Sequence, residues 1–218
     1  MIPHPSPNSG PRRDGLLPEL VVLHYTQMRS PAAALERLSA PEAQVSAHYL
    51  IGADGTLWQL VDEGARAWHA GAGSWRGRGD VNSRSIGIEL DNDGDSPFPH
   101  RQIVALEGLL RGVLQRWAIP PAGVIAHSDM APGRKRDPGP RFDWRGLARA
   151  GLSVWPDSGG DPARPLADSL DAIGYPPVVP ALRLAAFRLR FRPGHVGPED
   201  AIDRARAADL AARFGRLS

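Results

Sequence analysis

The stretch His127-Ser128-Asp129-Met130-Ala131-Pro132-Gly133-Arg134-Lys135-Arg136-Asp137-Pro138-Gly139 gathers a histidine, two aspartates and the chain's single lysine into one Pro/Gly-bounded loop. Imidazole nitrogen and carboxylate oxygen are ordinary zinc ligands, and a lone lysine among arginines can act as a point charge beside a metal. Two further residues suit the same ion. His24 closes the apolar run Leu20-Val21-Val22-Leu23, and Glu89 follows Ile86-Gly87-Ile88. A catalytic zinc takes three protein ligands and keeps a fourth position for water. His24, His127 and Asp137 complete such a set, with Asp129 as the other choice of carboxylate. Glu89 and Lys135 are then left to act on the chemistry.

These residues need elements that bring them together. Leu20 to His24 reads as a buried strand, a short apolar run bounded by turn residues. Ser30 is a candidate N-cap with Pro31 at the first helical position, which predicts a helix to Leu38. Ala47 to Ile51 and Thr56 to Val61 read as strands joined by a turn containing Asp54-Gly55, a hairpin signal. Ser85 to Leu90 and Val124 to Ala126 read as further strands. Ile103, Leu106, Leu109, Leu110, Val113, Leu114 and Trp117 form a helical stripe over 102–117, ended by Pro120-Pro121. A closing helix is expected over 142–150. Each candidate ligand thus lies at or just beyond the C-terminal end of a strand, or in the loop that follows, where open α/β sheets place their sites.

Proline, glycine and aspartate dominate 156–162, a linker composition, and 166–173, 178–191 and 198–214 look wholly helical. The expected division is an extended lead over 1–19, a mixed α/β catalytic domain over 20–155, a linker over 156–165 and a small all-α domain over 166–218. A unit as small as the last normally needs docking to be stable.

The 218 residues carry Lys+Arg 26 against Asp+Glu 24, so no nucleic-acid-binding stripe is indicated. With Cys 0, thiolate ligands and thiol nucleophiles are excluded, and any metal sits on His, Asp or Glu. No signal segment or membrane span is visible. The reading is a soluble, cytoplasmic monomer, with an envelope location open should the amino terminus be processed.

Five ordered blocks carry a resemblance: Val22-Leu23-His24-Tyr25-Thr26, Ser46 to Ile51, Arg66-Ala67-Trp68-His69-Ala70-Gly71, Asn82 to Leu90, and His127 to Phe142. Residues from about Leu20 to Leu152 are similar to the zinc-dependent N-acetylmuramoyl-L-alanine amidases, the type 2 amidases of peptidoglycan turnover. The resemblance implies a mixed central sheet flanked by helices and a zinc held by His24, His127 and Asp137. It also implies that Glu89 activates water and Lys135 stabilises the oxyanion. The implied substrate is the amide between the lactyl group of N-acetylmuramic acid, ordinary or 1,6-anhydro, and L-alanine of the stem peptide. Trp68 and His69 match a pair near substrate, and Trp75, Arg78 and Arg84 could add stacking and carboxylate-binding groups.

His48, in mid-strand, reads as structural or as a support for a residue at the site, and His4, His100 and His195 receive no role. The tail, with Leu170-Asp171-Ala172-Ile173-Gly174-Tyr175, resembles a small peptidoglycan-binding domain, although Gly194 to Asp200 departs from that pattern. A purely structural cap is its other reading. Two further functions share the fold or the chemistry: a non-catalytic peptidoglycan receptor and a zinc endopeptidase of the stem peptide.

Overall fold

The computed structural model describes residues 1–215. Strands β1 (Ile2–Pro3) and β2 (Ser9–Pro11) precede β3 (Leu20–Tyr25), helix α1 (Pro31–Ser39) and the hairpin strands β4 (Tyr49–Ile51) and β5 (Leu57–Gln59). Strand β6 (Ala65–Ala67), the short helix α2 (Val81–Arg84), β7 (Ser85–Leu90) and the long helix α3 (His100–Trp117) follow. Then come β8 (Val124–Ala126), a turn of helix α4 (His127–Met130), α5 (Trp144–Arg149), and the tail helices α6 (Leu166–Ile173), α7 (Pro180–Phe191) and α8 (Ala201–Phe214).

The main sheet has the order β1-β5-β4-β7-β3-β8. It is mixed: β4 and β5 pair antiparallel as the Asp-Gly turn demands, while β3 runs parallel to both β7 and β8. Strands β2 and β6 form a second, antiparallel ribbon. The two strands of the lead have no apolar alternation, and β1, exposed along its length, joins the sheet edge by parallel pairing with β5. Ser30 caps α1 as expected, its Oγ accepting from the Ala33 amide at 3.2 Å.

The continuous apolar run of β3 has a simple cause: both of its faces are covered. Val21 and Leu23 pack with Ile86, Ile88, Leu106 and Leu110 beneath α3. Leu20 and Val22 point the other way, into a core shared with Ile125, Leu166, Leu170, Phe187 and Leu210. The tail helices therefore supply the second cover of the sheet. His24 has the parity of Leu20 and Val22, and parallel register sets Leu20, Val22 and His24 beside Ser85, Gly87 and Glu89. That register puts His24, Ser85 and Glu89 on one face. No described helix is long and apolar enough to cross a membrane.

Candidate metal centre

His24 stands at the end of β3 and His127 at the start of α4, immediately after β8. Adjacent parallel strands thus end on two imidazoles. Asp137 reaches them because the intervening loop folds back. The Arg134 and Lys135 amides donate to the Ala131 carbonyl, and the Ser128 amide donates to the Asp137 carbonyl at 3.1 Å. Gly133, at φ 78°, supplies the left-handed turn this path requires.

Three ligand atoms converge. His24 Nδ1 lies 2.9 Å from His127 Nδ1 and 2.9 Å from Asp137 Oδ2, and His127 Nδ1 lies 2.8 Å from the same oxygen. The far nitrogen of His127, Nε2, donates to the Ala70 carbonyl at 2.9 Å, leaving Nδ1 as the lone-pair atom of the neutral ring. A carboxylate oxygen also offers only lone pairs. Such a gathering is stable only around a cation, and the set of two imidazoles and one carboxylate suits a divalent metal. Burial, and then the neighbouring His127, push His24 down to about 4, so it is neutral and able to ligate at pH 7.

Glu89 sits beside His24 in register, and its Oε2 is buried with no hydrogen-bond partner among the described residues. Burial first, and the Asp137 carboxylate second, raise its pKa well above the ordinary value, against the opposing charge of Lys135. Glu89, Lys135, Trp68 and His69 line one cleft of about 500 Å³ together with the three candidate ligands. A buried carboxyl with a raised pKa and an unpaired oxygen, set next to a metal-binding triad, is equipped to take and return a proton.

His69 occupies the cleft differently from the substrate-contact role expected of it. Its Nδ1 is 3.0 Å from His24 Nε2 and its Nε2 is 3.1 Å from Ser85 Oγ, so both ring nitrogens are engaged. Trp75, Arg78 and Arg84 stand outside the cleft altogether, which corrects the expectation that they add stacking and carboxylate-binding groups for the substrate. Trp75 is 2 % exposed in the core shared with the tail, its ring edge-on to Tyr175 at 5.2 Å. Arg84 Nε donates to Glu19 at 2.7 Å, and Arg78 pairs with the same carboxylate at 3.0 Å. The backbone around Trp75 is tied away from the cleft: the Ser74 amide donates to the Met130 carbonyl and the Arg76 amide to the Gly174 carbonyl.

Asp129 is no ligand. Its Oδ2 accepts from the Ala126 amide and from Arg190, and its Oδ1 accepts from Tyr175. His48 is structural as expected: Nδ1 accepts from the Gly87 amide at 2.9 Å and Nε2 faces the Ala65 carbonyl at 3.2 Å. Several contributors carried no assigned role. Asn82 Oδ1 accepts from the His69 and Ala70 amides, and Arg134 donates to the same Ala70 carbonyl that holds His127. Gly87 had a legible signal, since glycine inside a strand marks a close approach. A side chain there would place Cβ 2.3 Å from the His69 ring.

The sequence profile of the N-acetylmuramoyl-L-alanine amidases matches residues 14–140. The chain belongs to this amidase family. N-acetylmuramoyl-L-alanine amidase AmiD of Escherichia coli (strain K12) is 37% identical over 236 residues, covering 91% of this chain and 84% of that protein. The solved complex of that amidase with the substrate anhydro-N-acetylmuramic acid-L-Ala-D-γ-Glu-L-Lys superposes with a TM-score of 0.81 at 36% identity, covering 95% of this chain and 92% of the other. The structure of AmpDh3 from Pseudomonas aeruginosa in complex with anhydromuramic pentapeptide gives a TM-score of 0.83 at 33% identity, covering 94% and 95%. Both superpositions extend beyond the profile match into the tail helices, so the amidase likeness includes them.

Proposed function

We propose that this chain is a zinc hydrolase of the amide joining N-acetylmuramic acid, ordinary or 1,6-anhydro, to L-alanine of the peptidoglycan stem peptide, acting in cell-wall turnover or recycling. The observation that carries the reading is the convergence of three lone pairs, from His24, His127 and Asp137, beside the unpaired Glu89 carboxyl. The two related complexes hold muropeptides of this kind.

His24, His127 and Asp137 would hold the metal. Zinc supplies Lewis acidity there, acidifying water and polarising a carbonyl oxygen. Glu89 takes a proton from the attacking water and passes it to the leaving nitrogen of L-alanine. Lys135, on the rim of the same cleft, places a fixed positive charge where the amide oxygen becomes negative. Trp68 offers an apolar face to the substrate. Water's oxygen bonds to the lactyl carbonyl carbon and the C–N bond breaks, so the lactyl group becomes a carboxylate and the peptide leaves with a free amino terminus.

The test is incubation of zinc-loaded protein with defined muropeptides, ordinary and anhydro, with products identified by mass spectrometry. Release of an intact stem peptide beginning at L-alanine is expected. Cleavage inside the stem peptide would make the chain an endopeptidase, and binding without any release would make it a receptor.

A further inference from the structure

His24 and His127 are anchored by different means. The Ala70 carbonyl holds His127 directly. Among the described residues, His24 has no backbone group on its outer nitrogen and meets His69 instead. The direction of the protons along that contact follows from its far end. Ser85 Oγ lies 2.5 Å from the Val81 carbonyl, one helical turn earlier in the chain, and a carbonyl can only accept. The hydroxyl proton of Ser85 is therefore committed to Val81. Towards His69 Nε2, 3.1 Å away, the Ser85 oxygen can then only accept, so that nitrogen carries the proton of the neutral ring. His69 Nδ1 is left as a bare acceptor, and it faces His24 Nε2 at 3.0 Å. His24 Nε2 must donate, which leaves His24 Nδ1 bare and aimed at Asp137 and His127.

We propose that His69, oriented by Ser85, is a positioning residue that fixes the metal-ligating tautomer of His24. The inference rests on the zinc reading given under Proposed function. Two local features support a fixed role for the His69 ring. It lies flat against the strand where Gly87 has no side chain, since a Cβ there would stand 2.3 Å from it. Its backbone is pinned by Asn82, whose Oδ1 accepts from the His69 amide at 3.0 Å. Both ligands thus end on backbone carbonyls that cannot donate, His127 in one step and His24 through two side chains. Partners of this kind on ligating histidines typically contribute about 10- to 100-fold in metal affinity.

The experiment measures zinc affinity by competition with a chelator for the wild-type chain and for His69→Ala, His69→Gln and Ser85→Ala. His69→Ala is expected to weaken zinc binding by about 10- to 100-fold. His69→Gln, whose amide can accept from His24 and donate to Ser85, should recover most of that loss, and Ser85→Ala should fall between. Nitrogen-15 NMR of the metal-free wild-type chain should show His24 and His69 each protonated on Nε2, a reading that needs no variant to fold. Protonation of either ring on Nδ1, or wild-type affinity in His69→Ala, would overturn the assignment. Failure of the wild-type chain to bind zinc, with both rings protonated on Nε2, would instead overturn the zinc reading on which the assignment rests.

Discussion

Asp129 and Asp137 sit in the same segment of the chain and are both buried, yet their surroundings are opposite. Asp129 is saturated. Arg190 donates to it at 2.6 Å, Tyr175 at 2.7 Å and the Ala126 amide at 2.9 Å. Burial, followed by the Asp129 charge, drives the Tyr175 phenol well above its ordinary pKa, so it remains a donor. Arg190 continues to the Val124 carbonyl and stacks 4.2 Å over Trp144. Among the described residues, Asp137 Oδ2 meets only the lone pairs of two imidazoles, and beside it Glu89 keeps an oxygen with no partner. Buried polar groups are ordinarily satisfied, and a cluster left short of protons marks a place where something must arrive. The saturated aspartate ties the tail to the end of the sheet; the other turns its oxygen to two imidazole lone pairs, a set suited to a divalent metal.

The strongest way to break this contrast is to remove a partner from the saturated side. Arg190→Met leaves the Asp129 charge buried with too few donors, and loss of one member of a buried pair costs about 3 to 5 kcal/mol. Urea denaturation should show that loss, while zinc affinity of the folded variant stays at the wild-type value. A loss below about 1 kcal/mol, as for an exposed pair, would mean that the cluster is open to water.

On the other side the same kind of change should spare stability and remove activity. Glu89→Gln is expected to lower the rate about 100- to 1,000-fold, the usual effect of deleting one preorganised electrostatic group. Zinc stoichiometry should remain at the wild-type value. The folded-state pKa of Glu89 lies above its unfolded value, so its contribution to stability is present at low pH and lost as pH rises. Metal-free Glu89→Gln at neutral pH should therefore be as stable as the parent or more so. Full activity in that variant would remove Glu89 from the mechanism.

Zinc itself sharpens the comparison, because only the unsaturated region gains from it. At about 100 times its dissociation constant, zinc should stabilise the folded chain by about 2.7 kcal/mol. Arg190→Met should keep that gain and His127→Ala should lose it. A melting series with and without zinc reads both, and an equal gain in His127→Ala would place the metal elsewhere.

Much of the unsaturated region was legible in the sequence, since its chemistry is concentrated in uncommon residues at strand ends. His24, Glu89, His127, Lys135 and Asp137 come together as their positions suggested. Its supports were hidden for two reasons. The anchor of His127 is the carbonyl of Ala70, and a backbone group carries no sequence signal. The anchor of His24 is a hydrogen-bonded pair, Ser85 and His69, whose pairing depends on how β7 lies under the Trp68-His69 loop. The misplacement of Trp75 had a comparable cause. Trp75 packs beneath the tail helices, and coverage by distant chain is invisible locally. The saturated region was the least legible, because Asp129, Tyr175 and Arg190 are far apart in sequence and ordinary in type.

The smallest effect concerns protons on the histidine side. Burial above all pushes His48 down to about 3 and His24 down to about 4, whereas each regains about 6.5 when unfolded. Between those values the unfolded chain binds more protons than the folded one, so stability rises with pH and is lost as pH falls below about 6.5. Each such histidine contributes a slope of about 1.4 kcal/mol per pH unit. His48 lies behind the site and holds the Gly87 amide, so its part can be removed without touching a ligand. His48→Gln keeps an acceptor for that amide and cannot titrate. Denaturation of the metal-free chain at several pH values between about 6 and 4 should show the slope reduced by one histidine's share. An unchanged slope would show that His48 takes up no proton on unfolding, and would leave the proton sensitivity to other buried histidines such as His24 and His69, both of which burial also pushes down.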